Sequence, residues 1–131
     1  MDNEVSRYFT LREARDTLAK IRPLMDEIQS IREDILERQP EFWPAVERSA
    51  GNGGSPALSR LLKDFDRLDA LIHRIQDEGV LIKDLTIGLL DFPHMKDGRE
   101  IYLCWKYGED AIDFWHEVES GFAGRQPIDW G

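Results

Sequence analysis

Gly88-Leu89-Leu90-Asp91-Phe92-Pro93-His94-Met95-Lys96-Asp97-Gly98-Arg99-Glu100-Ile101-Tyr102-Leu103-Cys104-Trp105 is the stretch that decides the fold. Two β-rich runs flank Asp97-Gly98, a dipeptide suited to a two-residue hairpin turn because both of its central positions need positive φ. Closed this way, Lys96 faces Arg99, Phe92 faces Leu103 and Leu90 faces Trp105, with Asp91 beside Cys104. Working outward, Val80–Lys83, Ile87–Phe92, Arg99–Tyr107 and Ala111–Val118 read as strands of an antiparallel β-meander over residues 80–118.

A second two-residue turn at Glu109-Asp110 would place Trp105 opposite Phe114, Leu103 opposite His116 and Tyr107 opposite Ile112. Both registers then agree on one apolar face that includes Leu90, Phe92, Leu103, Trp105, Ile112, Phe114 and Val118, with His116 projecting from it. A one-residue slip would turn that set to water. The opposite face, with Leu89, Asp91, Tyr102, Cys104, Lys106, Asp113, Trp115 and Glu117, is too apolar for plain solvent exposure and is expected to meet a partner. A helix from Ala111, capped by Asp110, is the competing reading of 111–118. It strands Phe114 on the polar side, so the strand is preferred.

Upstream, the period is helical. Thr10-Leu11-Arg12-Glu13 fits a capping box, and Leu11, Ala14, Leu18, Ile21, Met25, Ile28 and Ile35 then follow steps of three and four, giving a helix over 11–37. Pro23 lies off that stripe and is expected to kink the helix without ending it. Ser55-Pro56 opens a second helix over 55–78, whose stripe is Leu58, Leu61, Phe65, Leu68, Ile72 and Ile75 and whose stop is Gly79. Residues 40–54, with Pro44 and Gly51-Asn52-Gly53-Gly54, read as a flexible connection. The expectation is an α+β single domain spanning 1–131: a long antiparallel two-helix hairpin packed on a meander of three to four strands, with a C-terminal tail over 119–131.

The 131 residues carry a net charge of −9 and show no basic patch, which argues against nucleic acid as a partner. Residues 101–131 hold two basic and six acidic side chains, a solvated acidic rim or a carboxylate-lined site for a cation. One cysteine excludes an intrachain disulfide and any multi-cysteine metal site. The N-terminus lacks a secretory pattern and no apolar run approaches the ~20 residues needed to span a bilayer, so a cytoplasmic protein without a membrane partner is expected.

Four residues are candidates for chemistry. His116 is either a core residue satisfied by one hydrogen bond or the floor of a pocket where a carboxylate tunes it. Asp91 would belong to that site or to a cross-strand charge cluster with Lys106 and Asp113. Arg125, in Gly121-Phe122-Ala123-Gly124-Arg125, would clamp an anion or pin the tail to the acidic rim, and Glu109 is a possible support. No HxH or HxxxH spacing joins His73, His94 and His116, no Walker or Rossmann pattern is present, and no cofactor is implied. Cys104 has only Lys106 as a basic sequence neighbour, which gives no support for a low-pKa nucleophile.

Tyr8-Phe9-Thr10-Leu11-Arg12-Glu13-Ala14, Val80-Leu81-Ile82-Lys83-Asp84-Leu85, Gly88-Leu89-Leu90-Asp91-Phe92-Pro93, Leu103-Cys104-Trp105, Gly108-Glu109, Trp115-His116 and Gly121-Phe122-Ala123-Gly124-Arg125 together resemble an uncharacterised bacterial family, domain of unknown function 2203. The resemblance implies a bacterial, cytosolic, single-domain protein without assigned activity, and it transfers no catalytic residues. Two functions are therefore expected in turn. The first is an interaction module forming a homo-oligomer or meeting a protein partner. The second is a metal- or small-ligand-binding protein, with hydrolysis as a conceivable chemistry, centred on His116 with Asp91, Glu109 and Arg125.

Overall fold

The computed structural model describes residues 5–52 and 55–131. Among them are three α-helices, α1 (Leu11–Glu37), α2 (Gln39–Asn52) and α3 (Pro56–Asp77), and five strands, β1 (Leu81–Asp84), β2 (Leu89–Lys96), β3 (Arg99–Lys106), β4 (Phe114–Glu117) and β5 (Gln126–Pro127). The strands form one antiparallel sheet in chain order, so the protein is α+β. No helix among the described residues is long and apolar enough to cross a membrane.

The capping box at the head of α1 forms as its sequence requires. The Thr10 amide donates to Glu13 Oε1 at 2.8 Å and the Glu13 amide donates to Thr10 Oγ1 at 3.0 Å. These reciprocal bonds satisfy two of the donors that a helix start leaves orphaned. Pro23 is accommodated within α1, which continues to Glu37. Ser55 caps α3 through Oγ, which accepts from the Leu58 amide at 3.1 Å.

The chain separates into two compact units. In the first, residues up to Met25 join residues from Ile75 onward. Here Phe9 meets Phe92 edge-on at 5.3 Å, and the Arg22 guanidinium lies 5.6 Å from the centre of the Trp105 ring. The start of α1 thus covers the sheet face that carries Leu90, Phe92, Ile101, Leu103 and Trp105, all of them buried. Burying side chains of this size contributes about 1.5–3 kcal/mol each.

In the second unit, residues 26–74, the antiparallel hairpin of α1 and α3 is laced by Glu27–Arg67 at 2.6 Å and Asp34–Arg60 at 3.0 Å. Arg38 reaches both Asp34 and Asp64. The connection expected over 40–54 is instead helix α2 as far as Asn52, while Gly53 and Gly54 lie outside the described residues. Pro40 stands in the first turn, where a missing N–H removes no helical bond, and Pro44 removes only one. Ala45 is buried and Arg38 lies over the Phe42 ring at 6.0 Å, contacts that hold α2 against propensity.

The β2–β3 hairpin has the expected register from Lys96↔Arg99 through Leu89↔Lys106, with Asp97 at φ 53° and Gly98 at φ 79°. Residues 114–117 form a strand rather than a helix. The expected tail contributes a fifth strand, with Phe114 paired to Pro127 and Trp115 to Gln126. Replacing Thr10 by Ala should lower the unfolding free energy by about 1 kcal/mol in urea titrations, whereas Glu13→Gln, which can still accept the Thr10 amide, should cost less than half of that.

Candidate functional site

The site is built by β2, β3 and β4 on the sheet face opposite Leu90 and Phe92. Period-two alternation puts Asp91, Tyr102 and Cys104 on that face, and Asp91 pairs directly with Cys104. The β3–β4 register then brings His116 to it, because Tyr102 pairs with His116, Leu103 with Trp115 and Cys104 with Phe114.

This corrects the sequence expectation, which set His116 opposite Leu103 on the helix-facing side. The cause lies in residues 107–113, which form a loop in place of a two-residue turn. Glu109 Oε1 accepts from the Lys106 amide at 2.7 Å, and the Glu109 carbonyl accepts from Trp105 Nε1 at 3.0 Å. Ile112 leaves the ladder and is buried. The chain therefore rejoins β3 one residue out of the expected register, and every β4 side chain changes face. Phe114 consequently leaves the helix-facing side and Trp115 moves to it, while Val118 is exposed.

The outer face, too apolar for water and expected to meet a partner, is buried around Asp91 within the chain itself. Leu89 and Tyr102 are buried, and Asp91, Cys104 and His116 are 1%, 0% and 2% exposed. Lys83 from β1 lies 4.8 Å from the Tyr102 ring centre, and Arg125, beyond β4, lies over Phe114. The protein's own edges cover this face.

His116 uses both ring nitrogens. Nδ1 donates to the Glu117 carbonyl at 2.7 Å, and Nε2 stands 2.9 Å from Asp91 Oδ1. The Tyr102 ring packs edge-on at 5.5 Å. Because a carbonyl can only accept, the Glu117 bond fixes the proton on Nδ1 and turns Nε2 toward the carboxylate. Desolvation alone would lower the His116 pKa, but the hydrogen bond and charge of Asp91, with the Glu117 carbonyl, more than reverse it, and the pKa is raised. The Cys104 thiol goes the other way from a nucleophile. Burial, then the Asp91 charge and a hydrogen bond to Asp91, hold it strongly protonated, against a weaker opposing pull from Arg125. One ligand atom each from Asp91, Cys104 and His116 lie within 4.8 Å of one another.

A second pair flanks this cluster. Arg125 follows a 3-10 turn at Phe122–Gly124 and donates from Nη2 to Glu109 Oε2 at 2.5 Å. Its guanidinium lies 4.0 Å from the centre of the Phe114 ring and 4.8 Å from that of Phe122. Phe114 is the cross-strand partner of Cys104, so the Arg125–Glu109 pair sits next to the thiol, and both charges act on it. Arg125 Nη1 is buried with no hydrogen-bond partner among the described residues.

The four residues singled out from sequence thus resolve into two pairs, Asp91–His116 and Glu109–Arg125, bracketing Cys104. Cys104 itself carries no sequence signal of a nucleophile. Its place opposite Asp91 was nonetheless readable from the Asp97-Gly98 turn, and a ligand does not need a low-pKa thiol beforehand. The other two histidines lie elsewhere. His94 Nδ1 is 2.6 Å from the Phe9 carbonyl and its ring stacks on Trp130, while His73 is exposed beside Asp69.

In the metal-free protein the Asp91–His116 pair should be visible in the pH dependence of stability. The His116 pKa is raised in the folded state from its ordinary 6.5, so the pair's contribution is complete below that value and is lost as pH climbs through the raised native value. Urea denaturation should show stability falling over that alkaline window and Asp91→Ala flattening the fall. The same substitution should cost about 1–3 kcal/mol at pH 6, because it leaves a buried ring nitrogen without its partner, desolvation alone favouring the neutral imidazole.

No curated protein and no solved structure matches this sequence. A family model described as an uncharacterized conserved protein (DUF2203) matches residues 7–128. The match spans both units and every residue of the site, and the chain belongs to the DUF2203 family.

Proposed function

We propose that the protein binds a transition-metal ion, best Zn²⁺, through Asp91, Cys104 and His116. The observation that carries this reading is the 2.9 Å approach of His116 Nε2 to Asp91 Oδ1 while Nδ1 is committed to the Glu117 carbonyl. With a neutral imidazole and an ionised carboxylate these are two acceptors face to face, and burial leaves no water to separate them. A cation must lie between them. A proton serves in the metal-free protein; a metal ion serves better, since it also takes the Cys104 sulfur as thiolate.

The donor set supports zinc. One thiolate, one imidazole and one carboxylate are its ordinary ligands, and a ligating histidine characteristically donates its other N–H to a carbonyl. Separations within 4.8 Å need only small side-chain adjustment to reach bond lengths of about 2.0–2.3 Å. Three ligands leave a fourth position to a water or a further donor. The ion would join β2, β3 and β4, one ligand from each. A protonated thiol beside a carboxylate is a poor nucleophile, so hydrolysis through Cys104 is not part of the proposal.

The test is elemental analysis of protein purified without chelator or affinity tag, then resupplied with ZnCl₂. Wild type should retain close to one zinc per chain after desalting and melt at a higher temperature than the stripped protein. Cys104→Ser and His116→Gln, checked for folding by circular dichroism, should lose both effects. A folded wild type that holds no zinc above background, or a Cys104→Ser protein that holds as much, would overturn the reading.

A second reading, assembly with another copy of the chain, is favoured by residues 26–74. Trp43 is 70% exposed there, and Leu36, Val46, Leu62 and Phe65 are exposed as well. Side chains of this size left in water are characteristic of interaction surfaces. Light scattering at micromolar concentration should give twice the chain mass, and Trp43→Glu with Phe65→Glu should return it to that of a monomer. A monomeric wild type would refute this reading.

A further inference from the structure

We propose a second, separate binding site: a groove between the first half of α1 and the loop 107–113 that takes a small amphiphilic carboxylate, a monoanion with a short acyl or aryl body. The groove has a volume of about 430 Å³ and lies wholly within the unit that carries the sheet. That volume falls in the range of about 300–1,000 Å³ usual for small-molecule pockets.

The helical wall is Arg15, Leu18, Ala19 and Arg22. These positions follow the i, i+3, i+4, i+7 spacing of one helix face, so an arginine stands at each end with apolar side chains between them. The two arginines are two turns apart, about 10 Å along the axis. Opposite them the loop contributes Ala111 and the buried Ile112, with Asp110 at the rim.

The arginines are anchored by groups that leave their charge intact. Arg15 Nη2 donates to the Ile112 carbonyl at 3.4 Å and Arg22 Nη2 to the Asp110 carbonyl at 2.6 Å. Among the described residues neither forms an ion pair with a carboxylate, unlike Arg38, Arg67 and Arg125. Each guanidinium has five donors, so one carbonyl leaves most of them available. Arg22 is further held over the face of the buried Trp105 ring. Arg22 is thus a preorganised donor that needs little ordering when a ligand arrives.

Charge and surface select the ligand. Two guanidiniums against the single Asp110 carboxylate leave one net positive charge, on a chain whose overall charge is −9. A monoanion is matched, a dianion overfills the site, and a cation is repelled. Leu18, Ala19, Ala111 and Ile112 offer nothing to a polar body and suit a hydrocarbon or aryl one.

The probe is 4-phenylbutyrate, titrated into the ¹⁵N-labelled 131-residue chain, with 4-phenylbutylamine and acetate as controls. Saturable shifts are expected at the amides of residues 110–112 and at the Trp105 indole, with little effect from either control. Arg15→Gln and Arg22→Gln should each weaken binding about tenfold, the loss of one charge-assisted contact. Ala19→Trp, an exposed position on the groove wall, should abolish binding by filling it while the rest of the spectrum is retained. Equal binding of the amine, no saturable shift up to millimolar probe, or unchanged affinity in both arginine variants would each overturn the proposal. None of these outcomes depends on metal at Cys104.

Discussion

A carboxylate oxygen of Asp91 and Nε2 of His116 meet at 2.9 Å where both side chains are almost wholly removed from water. With Nδ1 of the same ring already donating to the Glu117 carbonyl, a neutral imidazole facing an ionised carboxylate would set two lone pairs against each other. The interior therefore has to hold a positive charge at this point, as a proton or as a metal ion. Much of the sheet's architecture can be understood from that requirement. It needs three adjacent strands in a register that brings Asp91, Cys104 and His116 onto one face, and it needs that face covered.

The covering comes from both edges of the sheet. Lys83 of β1 reaches the Tyr102 ring from one side, and Arg125, held by Glu109 and the Phe114 and Phe122 rings, closes the other. The 107–113 loop links these features. Its Glu109 shapes the chain leaving β3, anchors Arg125, and displaces β4 by the one residue that turns His116 toward Asp91. The same loop supplies the far wall of the groove against α1, so a ligand there and an ion at the cluster would both bear on it.

Where sequence signals were local, they were legible. The Thr10–Glu13 box, the Ser55 cap, the Asp97-Gly98 turn and the three-four stripe from Leu11 each involve neighbours within a few residues, and each forms as its chemistry dictates. Helix α2 was hidden because Pro44 and the glycines argue locally for a loop, while burial of Ala45 depends on tertiary packing. His116 and Asp91 were both visible as unusual residues, but their meeting depends on the length of the 107–113 loop. No propensity encodes that a glutamate there will bond the Lys106 amide rather than let a tight turn close. Likewise β5 rests on pairing between Gln126-Pro127 and β4, too short a stretch to show any period.

X-ray absorption at the zinc edge of the loaded protein addresses the central claim most directly, because it reports the atoms bound to the ion. One sulfur near 2.3 Å together with nitrogen and oxygen near 2.0–2.1 Å, the sulfur vanishing in Cys104→Ser, is the result expected from an Asp91–Cys104–His116 centre. A shell of oxygen and nitrogen alone in the wild type would contradict it, and would leave the buried pair holding a proton.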